Sequence, residues 1–207
     1  MDKILTIDFD IFLYKDLPLY NNLINTGNSF DEILQDFPLL ENVRFDTDLY
    51  NKLTVFLKKI FSNTKKENIS FCKSHEDAIN FTYNNNFFDL INIDHHHDLG
   101  YNNMNQKLYC GNWVEKLIKM KRIHKYIWIK NPNSCISPNK EIFISNSLIL
   151  PNDYEYLEEF INIDKIIICS SFQWIPSFYH HYFLYSQSQD QYNQYQQDRF
   201  SSSYERG

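Results

Sequence analysis

Residues 88–100 read FDLINIDHHHDLG. The first seven, FDLINID, carry Phe88, Leu90, Ile91 and Ile93 and read as a buried strand, and the run ends abruptly in charge. In extended backbone, side chains at i, i+2 and i+4 share one side. Asp94, His96 and Asp98 are therefore expected to face together, with His95 and His97 turned toward the opposite layer. Two carboxylates and an imidazole suit Mn, Zn or Fe, and exclude a soft thiolate site.

The same pattern opens the chain. Residues 3–13, KILTIDFDIFL, form a second apolar run interrupted by Asp8 and Asp10. Burying two ionised carboxylates side by side is costly unless a cation neutralises them, so this pair is also read as metal-binding. Further apolar runs predict strands over 69–72, 126–130, 141–146 and 165–171. Helical periodicity or capping signals appear over 48–63 (with Asp48 as cap), from Ser74 or Asp77 to Tyr83, over 112–123 and over 152–161. Strands alternating with helices imply an α/β fold, a three-layer αβα sandwich around a mostly parallel sheet. Ligands gather at the carboxyl ends of such strands. Residues 8–10, 75, 94–98 and 171–173 all follow apolar runs, so they are expected to converge on one edge of the sheet. His75, after the short strand 69–72, joins the ligand candidates on that ground.

Composition narrows the chemistry. Among 207 residues only four are Gly, and no glycine-rich nucleotide loop occurs. A net charge of −6 argues against a nucleic-acid partner, which needs a basic face. The longest apolar runs, about eight residues, are too short for a membrane span, and no signal peptide is visible at the N-terminus. The four cysteines form no C-x-x-C pair. Cys72 and Cys169 fall inside strands and are read as small hydrophobes, so a cytoplasmic, reducing location without a disulfide framework is expected. Residues 1–185 are read as one α/β metallohydrolase domain. From Ser186 onward Gln, Ser and Tyr dominate, and residues 186–207 are expected to form a disordered or loosely packed polar tail.

D-x-H-x-D after a strand, a single His 19 residues upstream and a strand carrying D-x-D together resemble the arginase and ureohydrolase superfamily. The resemblance rests on about ten residues between positions 3 and 176. It implies an arginase-like fold and two Mn2+ ions, with Asp94 and Asp8 shared between them. His75 and Asp98 would complete one ion's shell, and His96 and Asp10 the other's. It implies hydrolysis of a guanidino group to ornithine and urea, with Asp98, His97 or His95 moving the proton. One departure is plain: D-x-D precedes D-x-H-x-D here, whereas ordinary arginases have it downstream. That order resembles the atypical branch of UPF0489-type proteins, which includes peptide arginases. The implied partner is therefore an arginine-containing small molecule or a precursor peptide. Asn112, after Gly111, and Ser171 and Gln173, in SSFQWIP (170–176), are the substrate-binding candidates. Gln173 stands where a Glu would grip a guanidinium, and Glu76 or Glu115 is the alternative carboxylate. Two other readings compete. One is a metal-dependent phosphoesterase, haloacid-dehalogenase-like from ILTIDFD or DHH-like from IDHH. The other is a non-catalytic metal-binding member of the same family.

Overall fold

The computed structural model describes residues 1–14, 44–82, 87–100, 108, 110–131, 162–172, 175 and 179–183. The expected strand 141–146, the helix 152–161, Gln173, Cys135 and the polar segment 186–207 lie outside the described residues.

Five strands form one sheet: β1 (Asp2–Asp8), β4 (Ile69–Cys72), β5 (Phe88–Asp94), β6 (Ile123–Lys130) and β7 (Lys165–Cys169). Their order is β4-β7-β1-β5-β6, and every neighbouring pair is parallel. A small antiparallel pair, β2 (Leu13–Tyr14) with β3 (Arg44–Phe45), stands apart from it. The helices are α1 (Thr47–Phe61), α2 (Ala78–Thr82) and α3 (Trp113–Lys119).

The apolar strand runs are explained by what covers them. Alternate residues point to opposite sides of a strand. Leu5, Ile7, Ile91, Ile93, Ile127, Ile129, Ile166 and Ile168 pack on one side with Leu49, Leu53, Phe56 and Ile60 of α1. Ile4, Leu90, Trp128, Ile167 and Cys169 pack on the other with Ala78 of α2 and Trp113, Val114 and Leu117 of α3. Helices thus cover both faces, and each fully buried Leu or Ile contributes roughly 1.5–3 kcal/mol. Among the described residues no helix is long and apolar enough to cross a membrane.

Several local expectations are corrected. The first strand ends at Asp8, not Leu13, and Phe9–Phe12 form a 3-10 turn. Asp46, not Asp48, caps α1, accepting the Leu49 N–H at 2.8 Å. β7 stops at Cys169, two residues early, and α3 is shorter at both ends than 112–123. Cys72 and Cys169 are not merely small hydrophobes. They are in-register partners on β4 and β7, and their sulfurs form a disulfide spanning 97 positions of sequence.

Candidate metal centre

The carboxyl ends of β1, β4, β5 and β7 lie together, and each delivers a polar group to the same place. Asp8 is the last residue of β1, and Asp94 is the last of β5. His75 opens the 3-10 turn three residues after β4, and Ser171 follows β7 by two. Asp10 arrives from the turn after β1, where the Asp8 side chain caps its backbone N–H at 3.1 Å. Asp98 is reached through a left-handed residue: its φ of 53° swings its carboxylate back toward His75. Simple strand alternation does not describe either Asp10 or Asp98, but the turns restore the convergence.

Two groupings result. His75 Nδ1 lies 3.3 Å from Asp8 Oδ2, 3.0 Å from Asp94 Oδ2 and 3.0 Å from Asp98 Oδ2. His96 Nδ1 lies 3.1 Å from Asp10 Oδ2 and 3.6 Å from Asp94 Oδ1. Asp94 is the member common to both, one oxygen in each. In each of the groups Asp8–His75–Asp94 and Asp10–Asp94–His96, the ligand atoms lie within 4.8 Å of one another, a spacing that one ion can span. The His96 side chain keeps 14% exposure, whereas those of His75, Asp8, Asp10, Asp94 and Asp98 keep 7% or less. The more open side of the cluster is therefore the His96 side.

Electrostatics test whether cations belong here. Four buried carboxylates share the space with two imidazoles, so with all four ionised a negative charge remains even when both rings are protonated. Burial and then Asp10 and Asp94 hold the Asp8 carboxyl well above its usual range. Burial and Asp94 push Asp98 up to about 7. Burial opposes charge on His75, but Asp8, Asp94 and Asp98 outweigh it and raise that imidazole well above its ordinary value. Burial also opposes charge on Asp94, and His75 and His96 more than offset it, taking the carboxyl to about 2. Protons thus occupy positions that a divalent ion neutralises directly, and the oxygen-and-imidazole donor set fits a hard to borderline metal. Cys72 and Cys169 are paired to each other, so neither offers a thiolate to this centre.

Other candidates fall into place around this centre. Ser171, at φ 45°, donates its hydroxyl to Asp8 Oδ2 at 2.7 Å, so it supports a carboxylate. Asn112 is buried at the start of α3, and its side chain makes no capping hydrogen bond. His97 accepts the Leu99 N–H through Nδ1 at 3.0 Å and stands edge-on to Trp128. Burial, then His96, takes its pKa down to about 4, so the ring is neutral at pH 7. His95 is buried with its ring edge-on to His96. Of the alternative carboxylates, Glu115 pairs with Lys119 at 2.8 Å, and Glu76 lies beside His75 in the 3-10 turn. His180 stacks on Phe172 and contacts the Phe172 and Ile175 carbonyls, a local tie.

The supporting residues were not singled out in the sequence. Trp113 Nε1 donates to Asp98 Oδ2 at 2.5 Å, and its ring lies 5.0 Å from that of His75. Trp128 Nε1 donates to the Asp94 carbonyl at 3.0 Å. Asn131 donates to the Ile11 carbonyl at 2.5 Å, tying down the turn that carries Asp10. Thr6, Asn92 and Tyr126 are polar side chains buried on the site's face of the sheet. The only signal for them was a polar residue inside an otherwise apolar run. Comparison of the chain with protein-family models, with curated proteins and with solved structures finds no match.

Proposed function

We propose that this chain is a binuclear, Mn2+-dependent hydrolase of arginase type. It hydrolyses a guanidino group, in arginine or in an arginine side chain of a peptide, to ornithine and urea. The observation that carries the reading is the placement of Asp94, with one oxygen toward His75 and the other toward His96. A carboxylate so placed is what two neighbouring cations share. Asp8, His75, Asp94 and Asp98 would hold one ion, and Asp10, Asp94 and His96 the other, with Asp8 close enough to His75 to contribute to the first. Two such ions, when bound, supply water activation at neutral pH and stabilisation of developing negative charge.

The chain's own residues do the rest. Trp113 fixes Asp98 and packs beside His75, so both stay aimed at the centre without loss of side-chain freedom on binding. Asp98 is the group assigned to proton movement toward the departing nitrogen, with His95 and His97 as the imidazoles nearest in sequence. The open flank at His96 is the side from which a guanidino group would enter. Asn112, Ser171 and Gln173 remain the candidates for holding it.

The test is direct. The Mn2+-loaded chain is incubated with free arginine and, separately, with an arginine-containing peptide, and ornithine formation is followed by mass spectrometry. Ornithine that appears with Mn2+ and disappears with a chelator is expected. Hydrolysis of p-nitrophenyl phosphate with no ornithine from either substrate would overturn the guanidine assignment.

A further inference from the structure

Thr6, Asn92 and Tyr126 sit on three adjacent strands, β1, β5 and β6, and none is more than 2% exposed. Their face of the sheet is otherwise apolar, with Ile4, Leu90 and Trp128 around them. A polar group buried there without a partner costs about 1–3 kcal/mol, so three of them need a reason. Their hydrogen bonds supply it. The Thr6 hydroxyl donates to Asn92 Oδ1 at 2.6 Å, and the two residues are direct partners in the β1–β5 register. The Asn92 amide then donates from Nδ2 to Asp94 Oδ2 at 3.2 Å and to the Tyr126 hydroxyl at 3.4 Å. Tyr126 in turn donates to the His97 carbonyl at 2.8 Å.

The Asp94 carboxylate sets the direction of this chain of donors. Were the Asn92 amide reversed, its oxygen would face the Asp94 carboxylate, acceptor against acceptor. On the far side the amide oxygen accepts the Thr6 hydroxyl at 2.6 Å, closer than that hydroxyl's other acceptor, the Ile91 carbonyl at 3.4 Å, and the NH2 group faces Asp94. The other carboxylate oxygen, Oδ1, accepts the His96 backbone N–H at 2.8 Å. Each oxygen of Asp94 therefore has one fixed donor. Together they set the carboxylate plane, with Oδ2 toward His75 and Oδ1 toward His96.

We infer that Asn92, locked by Thr6, is the positioning residue of the shared carboxylate, and that it controls the affinity for both ions at once. The inference rests on the metal-centre reading above. Its signature differs from that of a ligand belonging to one grouping. Loss of His96 weakens one binding step, whereas loss of the Asn92 amide lets Asp94 turn about its Cβ–Cγ bond and weakens both.

The experiment titrates Mn2+ into the metal-free full chain by calorimetry and records electron paramagnetic resonance spectra of the loaded forms. The main variant is Thr6→Val with Asn92→Leu. It removes the Thr6–Asn92 pair as a unit, and because Asp94 Oδ2 and the Tyr126 hydroxyl each lose a donor, a melting curve of the metal-free variant is recorded beside the titration. Both Mn2+ steps are expected to weaken by about 10–100-fold, the usual effect of removing an outer partner of a metal ligand. The exchange-coupled signal of the ion pair should weaken with them, while Thr6→Ser keeps parental affinity. Unchanged affinity in the folded double variant, or a loss confined to one step, overturns the inference and leaves the metal centre intact. If the double variant does not fold, Thr6→Val alone decides, because it unlocks the amide: a smaller loss at both steps supports the inference, and no loss overturns it. A parental chain that binds no Mn2+ overturns both this inference and the reading beneath it.

Discussion

Ser171 donates its hydroxyl hydrogen to Asp8 Oδ2 at 2.7 Å, joining residues 163 positions apart in the chain. Its left-handed φ of 45° is conformational strain accepted at that point, and the Ser171 N–H is bonded to the Lys73 carbonyl at 3.1 Å. The hydrogen bond favours the ionised Asp8 carboxylate against burial and against Asp10. Ser171→Gly removes the hydroxyl while easing the backbone. Mn2+ affinity should fall by about 10-fold or more with the melting temperature of the metal-free chain nearly unchanged. Calorimetric titration checks this, and an unaltered affinity would show that Asp8 needs no help from Ser171.

Asp94→Asn should be the most damaging single change to metal content, because one residue serves both groupings. Mass spectrometry under native conditions is expected to find two Mn2+ per parental chain and at most one, weakly held, in the variant. Retention of two ions would reject the shared-ligand assignment.

His96→Ala and His95→Ala should separate metal binding from packing. His96 Nδ1 is within 3.6 Å of two carboxylates and its side chain is partly exposed, so its loss lowers Mn2+ affinity and spares the fold. His95 is buried, and removing its ring leaves a cavity worth about 2–4 kcal/mol of stability with a smaller effect on Mn2+. Parallel denaturant melts and metal titrations on the two variants measure both quantities. Equal losses of affinity would contradict the geometry.

The metal-free chain should lose stability as pH rises through neutrality. Asp98 is raised from 3.8 to about 7, so its favourable contribution is complete below about pH 4 and gone above about pH 7. Asp8 and His75 are raised too, and their contributions are likewise lost with rising pH. His97, lowered from 6.5 to about 4, acts oppositely: its contribution is present above about pH 6.5 and lost as pH falls through 4. Mn2+ competes with the protons on Asp8, Asp98 and His75, so its affinity should climb between pH 6 and 8 with protons released. Melting curves at pH 5 to 8, with chelator and with Mn2+, should show opposite slopes in the neutral range. Parallel slopes would mean that the ions do not displace these protons.

The disulfide between Cys72 and Cys169 closes a loop of nearly a hundred residues. Cross-links of that span contribute about 2–5 kcal/mol, chiefly by restricting the unfolded chain. Cys72→Ala with Cys169→Ala should lower the melting temperature of the oxidised protein by an amount that added reductant reproduces in the parental chain. A melt indifferent to both changes would show that the cross-link contributes nothing.

Much of this architecture was legible as text. The unbroken apolar run Ile166–Cys169 points to a parallel strand buried on both faces, because one-sided burial would leave polar alternation. The carboxylates at Asp8 and Asp94 stood out because charge ended their runs. What stayed hidden depends on register between distant segments. Thr6 meets Asn92, and Cys72 meets Cys169, only because of how strands pair across the sheet. Single turns hid the rest: the helical turn at Asp10 and the left-handed backbone at Asp98 cannot be read from alternation. Gln173, the residue on which guanidine recognition bears most, lies outside the described residues.

The strand order has a consequence for the order of synthesis. β7 lies between β4, which leads to His75, and β1, which ends at Asp8. Residues 165–169 are made well after both. A nascent chain that has not yet released them from the ribosome cannot seat those two ligands side by side. The grouping of His75 with Asp8 therefore closes only after residue 169 has emerged, whereas Asp10, Asp94 and His96, carried by the directly paired β1 and β5, can meet earlier.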